Sequence, residues 1–185
     1  MNTTFLVGIV GSIILVIGAA LPSKIVSHPV RLPKNWFFVF GNLSMFTYSY
    51  LNFLVGGSIF FIFLQVLIAI STLLMMLNTP DRYDTPILAV AGLALVIWAL
   101  RLFEGYGTIL FVIGLVILGL GFAMNIGTVR RNLALAVGSA AIAVFSFIVM
   151  DWIFFWLNVF FALFSGYYVF KLSKAKNVIN KPKPA

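Results

Sequence analysis

Apolar runs of about 20 residues, recurring seven times between short polar or Gly/Pro-containing breaks, leave this chain no way to fold in water. As a helix, a run of that length spans the hydrocarbon core of a bilayer, about 30 Å. The runs lie near residues 4–21, 35–53, 58–77, 86–103, 107–124, 132–150 and 152–172. Composition points the same way. The chain is 63% hydrophobic and 9% charged, where a soluble domain is about half apolar and a quarter charged. The expected class is an all-α membrane protein with seven transmembrane helices, and the loops leave no room for a separate aqueous domain.

Several borders carry their own chemistry. Asn78-Thr79-Pro80 closes the third run, and Thr85-Pro86 is expected to open the fourth, since proline in the first helical position sacrifices no hydrogen bond. Asn132 to Leu172 is too long for one crossing, so a break is required near Met150-Asp151-Trp152, with Asp151 capping the seventh helix. The first run reads as a retained helix and not a secretory leader, because Met1–Thr4 carries no positive charge.

Charge sets the expected orientation. With the N-terminus outside, Lys24, Arg31, Lys34, Arg82, Arg130, Arg131, Lys171, Lys174, Lys176, Lys181 and Lys183 all fall on the inner side, and only Arg101 falls outside. That partition is the positive-inside bias, and it explains the net charge of +8 without nucleic acid as a partner. Trp36, Trp98 and Trp152 fall at the interfaces as aromatic anchors.

The runs also repeat. Gly11 and Gly18 of the first overlie Gly114 and Gly121 of the fifth at an offset of 103; Gly41-Asn42 and Tyr48-Ser49-Tyr50 overlie Gly138-Ser139 and Phe145-Ser146-Phe147 at 97; Phe61, Gln65 and Ala69 overlie Phe154, Asn158 and Ala162 at 93. Every gap falls in a loop. The predicted organisation is a three-helix unit (1–78), a linker helix (79–106), a second three-helix unit (107–172) and a disordered basic tail (173–185). An odd unit followed by one connector leaves the two units parallel about an axis along the membrane normal.

A 3+1+3 arrangement with its N-terminus outside, a proline near the inner end of the first helix (Leu21-Pro22) and amides in matching places on the third helix of each unit (Gln65, Asn158) resembles the SWEET sugar transporters and the wider PQ-loop superfamily. The resemblance covers about 170 residues in architecture. It implies a substrate pocket at Gln65 and Asn158 and a hinge at Pro22. Of the prolines those families carry on the first two helices of both units, only Pro22 has a counterpart here. The superfamily also includes amino-acid exporters, a trafficking receptor and pyruvate carriers, so the fold alone does not select an activity.

The residues themselves point to a neutral site. Asn158 and Gln65 lie some seven residues from the outer ends of their helices, roughly 10 Å deep, where an amide needs either a neighbouring helix or a ligand as partner. Asn42 and Ser49 form a polar stripe on the second helix; Ser139 and Ser146 occupy the equivalent places on the sixth, and Ser165 shares the Asn158 face of the seventh. Arg101 and Glu104, three apart, form either a local salt bridge or an outer gate. His28, in a Pro-flanked basic loop, has no second histidine for a metal site.

No acid or histidine lies near a helix centre, which disfavours proton or sodium coupling. Cysteine is absent and no catalytic motif appears, so no enzymatic activity and no cofactor are expected. The expected activity is uncoupled facilitation of a small neutral or zwitterionic polar solute such as a sugar, by alternating access in the cell membrane. The expected contacts are the solute, the bilayer and anionic lipid headgroups at the basic inner face, with self-association left open. The alternative is a non-transporting receptor or complex subunit that docks a partner through that face and its Lys-rich tail.

Overall fold

The computed structural model describes residues 3–21 and 28–179, without side chains at 81 and 175–179. Among these residues the chain is all-helical. Seven α-helices run α1 (Thr3–Ala20), α2 (Pro33–Leu54), α3 (Phe60–Leu77), α4 (Asp81–Arg101), α5 (Tyr106–Ala123), α6 (Val129–Ile148) and α7 (Trp152–Ile179), with a 3-10 turn at Pro29–Arg31. Six of them are long and apolar enough to cross a membrane. The seventh, α2, has the length at 22 residues but carries Asn35, Asn42, Ser44, Thr47, Ser49 and Asn52. The chain is therefore an integral, multi-pass membrane protein.

The helix ends follow local chemistry. Asn78 closes α3 in the left-handed conformation (φ 52°), and Met150 does the same beyond α6 (φ 60°), placing the required break one residue before Asp151. Asp151 accepts the Phe154 amide at 3.1 Å, the N-cap geometry expected of it. The expected start of α4 at Pro86 is corrected. Pro80, extended at ψ 143°, is the N-cap, and Pro86 lies inside the helix. In the second turn that proline removes a single i to i−4 bond, to the Arg82 carbonyl, and acidic Asp84 suits the positive end of the helix dipole.

The helices close into a ring, α1–α2–α3–α5–α6–α7 and back to α1, with α4 seated outside against α3 and α5. Neighbours are antiparallel along the chain, so the starts of α2, α4 and α6 and the far part of α7 share one end. Lys34, Arg82, Arg130, Arg131, Lys171 and Lys174 lie there, and it is called the basic end below.

Contacts recur at two of the offsets seen in the sequence, 103 and 97. A Cβ on Gly41 would meet Leu15 at 2.6 Å, and one on Gly138 would meet Leu118 at 2.8 Å; Gly11 faces Ser44 and Met45 as Gly114 faces Ala141 and Ile142. The Lys34 ammonium donates to the Leu21 carbonyl at 2.6 Å, and the Arg131 guanidinium donates to the Met124 carbonyl at 3.1 Å. Each cation thus satisfies an orphan carbonyl at the C-terminus of the preceding helix. The Ser49 hydroxyl bonds the Met45 carbonyl as Ser146 bonds Ile142, both at 2.7 Å. Glycines at these crossings let backbones approach closely, which is how helices adhere in lipid without a hydrophobic driving force.

Candidate functional site

Between the ends, the ring is filled on the side away from the basic end by an aromatic cluster. Phe61 of α3 and Phe154 of α7, matched at offset 93, stack face to face with centroids 4.1 Å apart and planes within 1°. Tyr48 packs on Phe154 at 5.7 Å, and its counterpart Phe145 packs on Phe61 at 5.5 Å. Phe60 and Phe111 extend the cluster, and all of these rings are buried. The stack joins α3 to α7 across the ring, closing that half of it with apolar surface.

A polar knot lies just beyond it. The Tyr48 hydroxyl and the Asn52 amide, both on α2, donate to the Asp151 carboxylate at 3.0 Å. With the Phe154 amide the carboxylate accepts from three groups, two of them across the triplet boundary. Burial pushes the Asp151 carboxyl above the usual carboxylate range, opposed by the Phe154 amide, the Tyr48 hydroxyl and the Ile153 amide. The knot has no copy in the other triplet, where Ser58 stands for Asp151, Phe145 for Tyr48 and Val149 for Asn52.

One turn from the stack toward the basic end, roughly 6 Å along the helix axes, stand the two amides. Gln65 is 1% exposed, and neither its Oε1 nor its Nε2 has a hydrogen-bond partner. Asn158, also buried, donates its Nδ2 to the Phe154 carbonyl of its own helix at 2.8 Å. Further toward the basic end, Asn42 donates to the Thr72 hydroxyl of α3 at 2.7 Å, while its Oδ1 is enclosed and unpaired. Ser139 and Ser165, buried on α6 and α7, occupy the places equivalent to Asn42 and Thr72 but do not bond each other.

The remaining predicted positions fare differently. Ser49 and Ser146 are buried, each with its hydroxyl proton given to its own helix. Arg101 ends α4 and Glu104 lies past that end; both are exposed and they form no ion pair, because the helical register that three-residue spacing needs has stopped. Pro22 lies outside the described residues. His28 and Arg31, with Met76, Leu77 and Asn78, line a groove of about 350 Å³ at the basic end, remote from the amides.

The Tyr48–Asp151 bond and the Thr72 partner of Asn42 were not expected from the sequence. Thr72 had a signal, since Ser165 lies at offset 93 from it and Ser165 had been singled out. Comparison with protein-family models, with curated proteins and with solved structures finds no match to this chain.

Proposed function

We propose that the chain is an uncoupled facilitator of a small neutral or zwitterionic polar solute such as a sugar, a SWEET-like member of the PQ-loop type. In this reading α2 is the seventh crossing, the N-terminus is outside and the C-terminus is inside, in the cell membrane. Two parallel three-helix units (1–78 and 107–172) rock about a central slot, and α4 is their connector. The recurrence of glycine, serine and cation contacts at constant offsets supports the duplication.

The observation that carries the reading is Gln65. An amide with both atoms enclosed and unpaired costs a few kcal/mol, and the surrounding helices offer it nothing. A polar solute, or the water it displaces, supplies the missing partners, while no buried charge lies beside it to favour an ion. Phe61–Phe154 and the Asp151 knot act as the outer closure, which must part for solute to reach that face; Arg101 and Glu104 sit outside this closure, on the α4 rim.

The test is solute flux into liposomes holding the purified chain, across a panel of sugars, polyols, neutral amino acids and nucleosides. At least one should equilibrate down its gradient, and Gln65→Leu should slow it roughly tenfold or more, the loss of one or two buried hydrogen bonds. Absence of flux for the whole panel would overturn the reading. Orientation is checked separately. The chain has no cysteine, so a cysteine at Gly56 should react with an impermeant thiol reagent from outside intact cells, and one at Lys174 only after permeabilisation.

A further inference from the structure

The two triplets repeat their backbone contacts far better than their polar chemistry. Among the described residues, every enclosed side-chain amide atom without a partner sits on α2 or α3: Gln65 Nε2, Gln65 Oε1 and Asn42 Oδ1. The counterpart of Gln65, Asn158, is one methylene shorter and has its nitrogen committed to the Phe154 carbonyl. The counterparts of Asn42 and Thr72 are serines, which offer a hydroxyl where α2 offers a carboxamide.

Gln65 and Thr72 are seven residues apart on α3, so they share a face two turns, roughly 10 Å, from one another along the helix. Asn42 is fastened to the second of these positions through the 2.7 Å bond to Thr72. Two open stations therefore follow one another from the aromatic stack toward the basic end, both on the first triplet. The Phe38 and Phe161 rings reach one another across this stretch, from α2 to α7, at 6.4 Å.

We infer that recognition is one-sided: Gln65, and after it the Asn42–Thr72 pair, read the solute, while α6 and α7 form the wall against which it is held and supply the moving closure through Phe154 and Asp151. This rests on the transport reading above. A carboxamide free at both atoms presents a donor and an acceptor side by side, matching a hydroxyl pair that accepts from Nε2 and donates to Oε1. With no buried charge beside Gln65 to offset a carboxylate or an ammonium, the inference narrows the solute to an uncharged one with adjacent hydroxyls.

Gln65→Glu is the decisive variant, because it nearly keeps the shape and removes the donor. In liposomes holding the full chain, its flux of D-glucose, or of whichever neutral sugar or polyol the wild type carries best, should fall roughly tenfold or more at pH 7. Relative to wild type at the same pH it should recover severalfold at pH 5, where a protonated carboxyl again donates and accepts. Asn158→Ser, whatever it does to flux, should leave the KM ratio between two sugars unaltered, because its nitrogen is already committed to the Phe154 carbonyl. A purely packing role for Gln65 would leave the sugar-induced midpoint shift in Gln65→Leu as large as in wild type.

Thermal unfolding in detergent separates the two readings. The same sugars should raise the midpoint of wild type and of Asn158→Ser and leave that of Gln65→Leu unmoved. Midpoint shifts without wild-type flux would overturn transport and keep one-sided recognition. Flux with equal loss of KM selectivity in Gln65→Glu and Asn158→Ser, or without acid recovery, would overturn one-sided recognition and keep transport. Neither flux nor shift for any sugar or polyol would overturn both.

Discussion

Replacing Asp151 by leucine should lower the unfolding midpoint in detergent by roughly 10 °C, the equivalent of about 3 kcal/mol for a chain of this size. Three losses combine. The N-cap bond to Phe154 disappears, worth about 1 kcal/mol, and the Tyr48 hydroxyl and Asn52 amide are left without their acceptor, at about 1–3 kcal/mol for a buried group. Asparagine should cost far less, because its Oδ1 still caps α7 and accepts from one α2 donor. Tyr48→Phe, which removes donor and hydroxyl together, should fall between them. Equal midpoints for Asp151→Leu and wild type would show that the knot does not join the triplets.

The same carboxyl gives a pH dependence with a definite sign. Its folded value is raised by burial above the ordinary 3.8, so the native state takes up a proton before the unfolded state does. Stability therefore rises as pH falls through the raised folded value and gains nothing further below 3.8. Asp151→Asn should flatten that portion of the profile, as read from unfolding midpoints between pH 4 and 8.

How much of this was legible in the chain depended on whether the governing interaction was local. Helix number, the Met150–Asp151 break and the Asp151 cap followed from run length and from the chemistry of adjacent residues. The start of α4 did not, because Pro80 and Pro86 both suit a helix beginning and the apolar run starts only after the second. Arg101 and Glu104 have the right spacing for a pair, but spacing acts only inside a helix, and α4 stops between them. The depth of Gln65 could be read from its run. That its amide is open could not, since whether an amide finds a partner is decided by the neighbouring helix: Asn42 found Thr72 and Gln65 found nothing. Likewise Tyr48 and Asp151, 103 residues apart, become partners only once the ring closes.

Valine at Gly138 should be the most damaging single change within a triplet, costing about 3 kcal/mol and most of the monodisperse protein. A Cβ there would sit 2.9 Å from the Leu118 backbone nitrogen as well as against its side chain, so relief requires α5 to move away from α6 and not merely a rotamer change. In lipid this matters more than in water, because close backbone approach is what holds the pair together. The Gly41 position meets the Leu15 nitrogen at 3.1 Å, so Gly41→Val should be similarly but somewhat less harmful. Gly166, with nothing within 4 Å of its Cβ direction, is the control: Gly166→Ala should be neutral or stabilising by up to about 1 kcal/mol through helix propensity. The proposed rocking of two units requires each to move as a body, and it would rest on these glycine crossings for that rigidity. Size-exclusion profiles of the three variants decide the matter: a well-behaved Gly138→Val protein would mean that α5 and α6 are free to separate, and units that flex internally could not transmit opening at Phe61–Phe154 to the amide layer beneath.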